Sequence, residues 1–280
     1  MRQQMFMQLM RVLPKSALST VVGAATRAPL PPLLHQTAMR IFAKSYSVNL
    51  DEAEGSIGDY PTFAQFFTRR LKPEARSIDR DPNVIISPVD GCVSQAGAIE
   101  SGQCLQAKGI SFPVEKLLAD GKRAAAFNGG QFVTLYLSPR DYHRFHAPIA
   151  GKVTAYQYIP GEFWPVNAAS VALKDALFAV NERLVTYLET EVGTIAYVAV
   201  GATCVARIHA TYESIVTHLG EHAHGRVLAR PVEVEKGGEI GMFEMGSTII
   251  MLFEPGRVRF EPQLKPEAQV RLGQRIGIRV

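Results

Sequence analysis

The chain has 280 residues, which is close to the upper limit for one domain. Of these residues 47% are hydrophobic and 20% are charged, a composition that allows a full core and argues against disorder. The net charge of +4 belongs to the N-terminal segment, because residues 1–50 carry six Lys or Arg and no acid, whereas residues 51–280 carry 24 basic and 26 acidic side chains. The cysteines, Cys92, Cys104 and Cys204, form no Cys-x-x-Cys pair, which disfavours a disulfide framework or a cysteine zinc site and suits a reducing compartment.

The first predicted element is a basic, methionine-rich helical segment within residues 1–50. In helical projection, its first helix has an apolar face formed by Met5, Leu9, Val12 and Leu13. Pro14 ends that helix, and three prolines at positions 29, 31 and 32 separate it from a second helix predicted over Leu33–Ser45. The segment is therefore predicted to be amphipathic and helical.

No part of this segment is long enough to cross a bilayer. Its longest stretch without charge or proline is Ser16–Thr26, eleven residues rich in Ala, Ser and Thr. Either the segment lies on anionic lipid, or its helices pack on the core with charged outer edges. We favour the lipid interpretation. A cleaved signal peptide is disfavoured, since the apolar run is weak and the basic amphipathic pattern continues beyond it.

The remaining chain is predicted to form a mainly β domain over residues 60–280. After the acidic, glycine-containing linker Asp51–Asp59, Thr62 and Gln65 have the spacing of a capping box and start a third helix. From about Val84, short β-rich runs alternate with Gly, Pro and Asn. The predicted strands include Phe132–Leu137, Val153–Ile159, Leu184–Glu189, Thr194–Val200, Thr203–His209 and Thr248–Phe253. The fold class is therefore α+β, with N-terminal amphipathic helices on a barrel- or sandwich-like β core.

Three separated segments carry the side chains of an activated nucleophile. Asp90-Gly91 alone is an ordinary turn signal. His143 and His146 stand three residues apart among Arg, Asp and Tyr, an unusual density. Gly246-Ser247-Thr248 opens an apolar strand; most such triplets are turns, but a serine hydroxyl against the preceding carbonyl can attack its own backbone. Together the segments supply a nucleophile, a base and a supporting carboxylate.

A second group of histidines, at positions 218, 222 and 224, is a candidate metal cluster. His218 and His222 have helical i,i+4 spacing, but nearby glycines disfavour a helix and no carboxylate motif accompanies them. The sequence therefore predicts a flexible, exposed loop rather than a metal site.

These segments, with several others in the same order, resemble the bacterial membrane-associated phosphatidylserine decarboxylases, which make phosphatidylethanolamine. The matching blocks are Phe63–Arg69, Leu71–Pro73, Asp90-Gly91, Gln106–Gly109, Leu137–Pro148, Gly161–Phe163, Val166-Asn167, Asn181–Arg183, Val200–Thr203 and Gly246–Thr248. Two positions depart from the family pattern. Met245 stands where Leu is usual, a near volume-conserving change, and Ala206 stands where relatives often have Gly, which concerns only local backbone detail.

The resemblance implies that the Gly246–Ser247 bond breaks by self-cleavage and leaves a beta chain, 1–246, and an alpha chain, 247–280. Asp90 and His146 would complete the relay that activates Ser247. Ser247 would become a covalent pyruvoyl group, which condenses with the amine of the substrate and accepts the electrons released as carbon dioxide leaves. His143 would act in decarboxylation, as a general acid whose ordinary pKa lies near neutrality.

The resemblance also implies the partners. Phosphatidylserine is the expected substrate and the membrane surface the expected partner, with peripheral attachment at the cytoplasmic side of the cell membrane. The alpha and beta chains are expected to stay paired and could form a homodimer, and nucleic acid is not expected as a partner.

Two other functions compete with this interpretation. A serine hydrolase could use Asp90, His146 and Ser247 on an external ester, but the chain lacks a Gly-x-Ser-x-Gly elbow. A lipoyl-like carrier or binding module could use Lys108 as its modified residue, but the flanking Met or Asp pattern of a carrier hairpin is absent.

Overall fold

Most of the chain is placed by a computed structural model, which describes residues 2–107, 109–203, 207–218, 222–245 and 248–280. Some residues named above lie outside the described residues: Lys108, Cys204, Ala206, Gly246 and Ser247, together with the side chain of Leu9. Met245 and Thr248 are the described residues on either side of the Gly246–Ser247 junction.

The helices are short except for those of the N-terminal segment. Over the described residues they are α1 (Arg2–Val12), α2 (Lys15–Arg27), α3 (Pro32–Tyr46), α4 (Phe63–Phe67), α5 (Val114–Leu118), α6 (Gly121–Ala125), α7 (Ala168–Leu173) and α8 (Leu177–Val180), with 3-10 turns at Ile57–Asp59 and Pro73–Ala75. The predicted end of the first helix at Pro14, the helix over Leu33–Ser45 and the start of a third helix after Thr62 are confirmed. The Thr62 hydroxyl accepts a hydrogen bond from the Gln65 amide at 3.3 Å.

Helix α2 was not predicted from the sequence. Its buried residues are Ser19 and Gly23, so the face toward the core is made of small side chains rather than the large apolar ones that mark an amphipathic helix. Tertiary contacts rather than hydrophobic periodicity therefore account for this helix.

Strands make up most of the molecule after residue 84. They are β1 (Val84–Ile86), β2 (Gly91–Ala98), β3 (Gln103–Ala107), β4 (Ile110–Pro113), β5 (Gln131–Tyr136), β6 (Arg144–His146), β7 (Gly151–Ile159), β8 (Arg183–Thr190), β9 (Gly193–Val200), β10 (Ile208–Ala210), β11 (Ile215–Val216), β12 (His224–Val234), β13 (Glu239–Phe243), β14 (Thr248–Phe253), β15 (Val258–Phe260), β16 (Gln269–Val270) and β17 (Arg275–Arg279). The prediction of a strand over Thr203–His209 is wrong at its start, since Thr203 lies in a turn and β10 begins at Ile208.

The strands form antiparallel sheets stacked as a sandwich. The largest has the order β12-β7-β8-β9-β14-β5-β2-β16, and β12 and β16 are its two edges. A four-stranded sheet, β11-β10-β13-β6, and a three-stranded sheet, β1-β17-β15, accompany it, together with the β3-β4 hairpin. Among the described residues no sheet closes into a barrel, so the sandwich alternative of the predicted α+β fold is the one observed.

Strand β14 lies at the centre of the core and is buried on both faces. Its alternate residues Ile249, Met251 and Phe253 join one apolar cluster, which includes side chains of the four- and three-stranded sheets. Ile250 and Leu252 join a second cluster, shared with α5, α7 and α8. This two-sided burial accounts for the continuous apolar run that follows Ser247.

The N-terminal segment packs on the core and also exposes apolar side chains. Met7 and Met10 of α1 belong to the second cluster, while Met39 and Ala43 of α3 pack with Phe66 of α4. Ten of the fourteen large apolar side chains that are exposed among the described residues lie within residues 1–50. None of the helices described is both long and apolar enough to span a bilayer.

Candidate active site

The Gly246–Ser247 junction joins two different sheets. Strand β13 of the four-stranded sheet ends at Phe243, and β14 of the large sheet begins at Thr248. Thr248 is paired with Tyr136 of β5 on one side and with Val200 of β9 on the other. The described residues that flank the junction, Met245 and Thr248, thus lie at the ends of these strands.

His146 is placed beside β13 by the pairing of β6 with that strand. Its side chain is buried, and its Nδ1 lies 2.9 Å from the carbonyl oxygen of Gly237, while its Nε2 is buried without a partner among the described residues. Burial lowers the pKa of His146, and the Gly237 hydrogen bond and the charges of Glu239 and Asp90 offset this only in part. The imidazole is therefore neutral at pH 7, with Nδ1–H donating to Gly237 and a lone pair on Nε2.

His143 is even more completely enclosed. Its exposed fraction is 0%, its ring centroid lies 4.1 Å from that of Phe67, and its Nδ1 lies 2.9 Å from the carbonyl oxygen of Asp141. Burial, reinforced by the charge of Arg69, lowers the pKa of His143 to about 3. Its Nε2 also has no partner among the described residues. The sequence argument used the ordinary pKa of histidine, whereas the structure makes His143 a neutral base.

A short turn sets the position of His143. Asp141 accepts hydrogen bonds from the Ser138 amide at 2.7 Å and from the Ser138 hydroxyl at 2.8 Å, which closes the Ser138–Asp141 turn. The carbonyl oxygen of His143 then accepts a hydrogen bond from the Phe243 amide at 2.9 Å. His143 is therefore fixed against the last residue of β13, on the chain segment that leads to the junction.

Asp90 is buried at the start of β2 and is held by an arginine. Arg76 Nε lies 2.9 Å from Oδ1 and 3.1 Å from Oδ2 of Asp90, and the Leu272 amide donates to Oδ1 at 2.9 Å. The next residue must be small, because a Cβ on Gly91 would lie 2.5 Å from the Tyr136 carbonyl oxygen. Asp90 is thereby fixed against β5, the strand that pairs with Thr248.

The structure brings Asp90 and His146 near each other but does not join them directly. Asp90 is close enough for its charge to raise the pKa of His146 against the effect of burial. However, the Nδ1 of His146 faces Gly237, and the carboxylate of Asp90 faces Arg76 and Leu272. Among the described residues, Asp90 therefore acts on His146 through its charge rather than through the hydrogen bond of a serine hydrolase relay.

An apolar cavity of about 300 Å³ lies beside the junction. It is lined by Phe42, Tyr46, Phe67, Tyr136, Leu137, Pro139, Pro165, Val166, Asn167, Ala202, Thr203 and Met245. Its wall therefore includes the residue before Gly246, the partner of Thr248 and the aromatic ring that contacts His143. A more polar cavity of about 340 Å³, lined by Arg69, Asp90 and Tyr142 among others, lies on the other side of the Ser138–Asp141 turn.

Comparisons with known proteins assign the chain to one family. The family model described as phosphatidylserine decarboxylase matches residues 63–278. Proteins named phosphatidylserine decarboxylase proenzyme from Myxococcus xanthus (strain DK1622) and Anaeromyxobacter sp. (strain K) are 60% and 49% identical to it, and each alignment covers 99% of both chains. The chain belongs to the phosphatidylserine decarboxylase family. A relative from Alcanivorax borkumensis is 42% identical over 99% of this chain and 97% of its own.

Membership of the phosphatidylserine decarboxylase family makes this protein a decarboxylase and confirms the resemblance found in the sequence. Two residues that hold the candidate site side chains in place, Arg76 and Gly237, were not predicted from the sequence. Arg76 precedes Asp90 by 14 residues and Gly237 follows His146 by 91, so no local pattern announces either contact. Gly237 has a φ of +77°, a conformation that favours glycine. A glycine at this position is the one feature of the sequence that could have indicated a turn there.

In the Asn181–Arg183 block of the family pattern, Asn181 connects two loops by hydrogen bonds. The Asn181 side chain donates to the carbonyl oxygens of Trp164 and Gly201, at 2.9 Å in each case, and accepts from the Trp164 amide at 3.0 Å. It thereby ties the 161–166 loop to the end of β9. Both segments contribute to the wall of the apolar cavity, so this family motif shapes the site without supplying a reacting group.

The second histidine group, His218, His222 and His224, was predicted to lie on an exposed loop. His218 Nε2 lies 3.0 Å from the Thr20 hydroxyl, and its Nδ1 lies 3.7 Å from a carboxylate oxygen of the buried Glu182. The prediction of an exposed loop is therefore wrong for His218, which is partly buried, and for His224, which is exposed but begins β12 opposite Tyr158. His222 is exposed. Within the described parts of the chain, no three His, Cys, Asp or Glu side chains come together as metal ligands.

Proposed function

We propose that the protein cleaves itself at Gly246–Ser247 and then decarboxylates phosphatidylserine to phosphatidylethanolamine and carbon dioxide with a pyruvoyl group derived from Ser247. The observation that carries the proposal is the pair of buried, neutral imidazoles, His143 and His146, whose Nε2 atoms have no partner among the described residues. Both stand beside the strand that leads to the junction. The relatives' printed names, which describe proenzymes of this activity, support the same function.

In the proposed self-cleavage, His146 is the base. Its Nδ1–H is engaged by Gly237, so the free lone pair is on Nε2, where it can take the hydroxyl proton of Ser247. The Ser247 oxygen then attacks the Gly246 carbonyl carbon, and the peptide C–N bond breaks to leave an ester. β-Elimination frees the Gly246 carboxylate, and hydrolysis of the resulting dehydroalanine releases ammonia and leaves the pyruvoyl group. The negative charge of Asp90 favours the protonated form of His146 during the first step.

The residues around the junction fit a pyruvoyl group. When present, this group supplies an electrophilic carbonyl that accepts the electron pair released as carbon dioxide leaves the substrate. The buried Nε2 of His143 lacks a hydrogen-bond partner among the described residues, and the adjoining cavity is lined mainly by apolar side chains. Burial keeps His143 neutral at pH 7. The negative charge of a bound phosphatidylserine would favour the protonated form of His143, which would then deliver its proton to the α-carbon as a general acid.

The substrate and the membrane surface are proposed from the apolar parts of the molecule. A phospholipid leaves the bilayer only at a cost of about 0.8 kcal/mol for each exposed methylene, so the enzyme must go to the lipid. Helix α3 exposes Leu33, Leu34 and Ile41, and its Phe42 and Tyr46 line the apolar cavity. We therefore propose peripheral attachment of residues 1–50 at the cytoplasmic side of the cell membrane, with the cavity open toward the lipid and residues 60–280 as catalytic domain.

The alpha chain, 247–280, is proposed to stay bound after cleavage. Its strand β14 is paired on both edges, β16 pairs with β2, and β17 pairs with β1. These contacts join buried backbone and apolar side chains of both chains, so breaking one peptide bond leaves the fold intact. A homodimer of the paired chains stays a prediction.

Intact mass and a denaturing gel test the proposal. The wild-type chain is expected to give fragments of residues 1–246 and 247–280, the smaller one with a pyruvoyl terminus, and to release carbon dioxide from phosphatidylserine vesicles. Ser247→Ala should stay uncut and inactive, because the nucleophile is gone, while Ser111→Ala, an exposed serine on β4, should behave as wild type.

A single uncut wild-type chain that converts the lipid normally would contradict the proposal. An uncut chain that hydrolyses esters would favour the serine hydrolase alternative, and a cofactor mass attached at Lys108 would favour the carrier alternative.

A further inference from the structure

Helix α2 of the N-terminal segment reaches the residues that precede the scissile bond. Its last residue, Arg27, places Nη1 2.6 Å from Oε2 of Glu244, which lies two residues before Gly246. The other carboxylate oxygen, Oε1, lies 2.9 Å from Nε2 of His209 on β10. The Glu244 amide donates to the Arg207 carbonyl oxygen at 3.0 Å. Both the backbone and the side chain of Glu244 are thus held just before the junction.

The Glu244 carboxylate depends on these partners. Its residue is only 7% exposed, and burial by itself would raise the pKa of the carboxyl group. Hydrogen bonds from His209 and Arg27 outweigh burial and lower the pKa below its ordinary value. A buried carboxylate that loses such a donor must move toward water or take up a proton, and either response changes the chain just before the junction.

A second contact fixes the same helix. The Thr20 hydroxyl lies 3.0 Å from Nε2 of His218, and Thr20 precedes Arg27 by about two helical turns on the same side of α2. Leu18 and Val21 are exposed on α2, whereas its buried residues are Ser19 and Gly23.

We infer that Arg27 is a positioning residue for self-cleavage, and that docking of α2 on the core sets the geometry of residues 244–245 through the Arg27–Glu244–His209 cluster. This inference rests on the proposed function and gives the N-terminal segment a role in maturation besides lipid binding. Attack of a hydroxyl on a neighbouring carbonyl is sensitive to displacements of about 1 Å. The hydrogen bonds that fix Glu244 are therefore expected to affect the rate of self-cleavage.

Self-cleavage of freshly translated, full-length precursor tests the inference by the time course of fragment formation on a denaturing gel. Arg27→Gln should slow cleavage about 10- to 100-fold. Arg27→Lys should recover most of the rate, because a cation can still reach Glu244. Arg40→Gln is the matched control, since Arg40 is exposed on α3 and has no ion pair with a described residue. Its cleavage rate and its binding to anionic vesicles show what loss of one basic charge does by itself.

The double variant R27Q/E244Q separates positioning from general weakening of the fold. If the two residues act through one contact, the double variant should cleave no more slowly than the slower single variant. Rates that multiply, or an R27Q rate equal to that of R40Q, would overturn the inference while leaving the proposed function intact. A wild-type precursor that never cleaves would overturn both.

Discussion

His143 and His146 each carry a buried Nε2 that has no hydrogen-bond partner among the described residues. A buried polar atom without a hydrogen bond costs about 1–3 kcal/mol, and native proteins keep few of them. The described residues contain other such atoms, for example on Thr134 and Tyr187, so the absence of a partner does not by itself mark a site. His143 and His146 differ because both are titratable, both are neutral through burial, and both adjoin the segment that leads to residue 247.

At this scale the two histidines are expected to have separable functions. His146→Ala should prevent self-cleavage, because the base for Ser247 is lost. His143→Ala should leave two chains but lower the turnover of phosphatidylserine by about 10²- to 10⁴-fold, the usual contribution of a positioned acid–base group. The measurements are a denaturing gel and carbon dioxide release, with His222→Ala, an exposed histidine, as control. An uncut His143→Ala chain would show that the assignment of the two roles is wrong.

Among the elements, helix α3 contributes to the core, to the wall of the apolar cavity and to the exposed apolar surface. Met39 and Ala43 are buried against α4, Phe42 and Tyr46 line the apolar cavity, and Leu33 is 81% exposed. Deleting residues 1–45 would therefore remove part of the cavity wall and of the core as well as the exposed surface. Substitutions confined to the exposed face test lipid binding more cleanly.

The triple variant L33Q/L34Q/I41Q is expected to bind phosphatidylserine vesicles about 10- to 100-fold more weakly than wild type. The reason is that a fully buried aliphatic side chain contributes about 1.5–3 kcal/mol, and burial at a lipid interface is partial. Vesicle co-sedimentation measures this directly. Val227→Gln provides the control, because Val227 is an equally exposed apolar residue on β12, outside the N-terminal segment. Unchanged sedimentation of the triple variant would contradict the proposal that the exposed face of α3 binds the membrane.

At the scale of the whole molecule, the bond at which we propose self-cleavage lies between strands of two sheets. The junction leads from β13 in one sheet to β14 in another, so cleavage there would sever a connection and leave every described strand pairing in place. The apolar residues of β14 are buried in both clusters. The proposed cleavage is therefore expected to leave the sandwich folded.

Burial of the histidines should make the whole fold sensitive to acid. Between pH 6.5 and about 3 the unfolded chain binds a proton at His143 and the folded chain does not, so the free energy of unfolding falls as the pH is lowered through this window. The slope is at most about 1.4 kcal/mol per pH unit for each such histidine. Urea unfolding of Ser247→Ala, which keeps one chain, should show a steeper loss of stability from pH 6.5 to 5 than Ser247→Ala carrying His143→Gln. Equal slopes would contradict the neutral state of His143.

Much of the architecture was readable from local patterns. Alternating and continuous apolar runs predicted β5, β7, β8, β9 and β14 with ends that differ by at most two residues from those observed. A period of two residues is a local property, so it needs no knowledge of neighbours. The strand start predicted at Thr203 was wrong and helix α2 was not predicted, for the same reason. The structure of each segment depends on contacts with distant segments.

By itself, the sequence determined the α+β class, the positions of several strands along the chain, the family and the candidate side chains Asp90, His143, His146 and Ser247. Only the tertiary structure decided their states and partners. It engaged Asp90 with Arg76 rather than with His146, lowered the pKa of His143, and joined Arg27 to Glu244 across 217 residues of chain. The physical reason is that residue type and periodicity act locally, whereas burial, charge and hydrogen bonding depend on which segments the fold brings together.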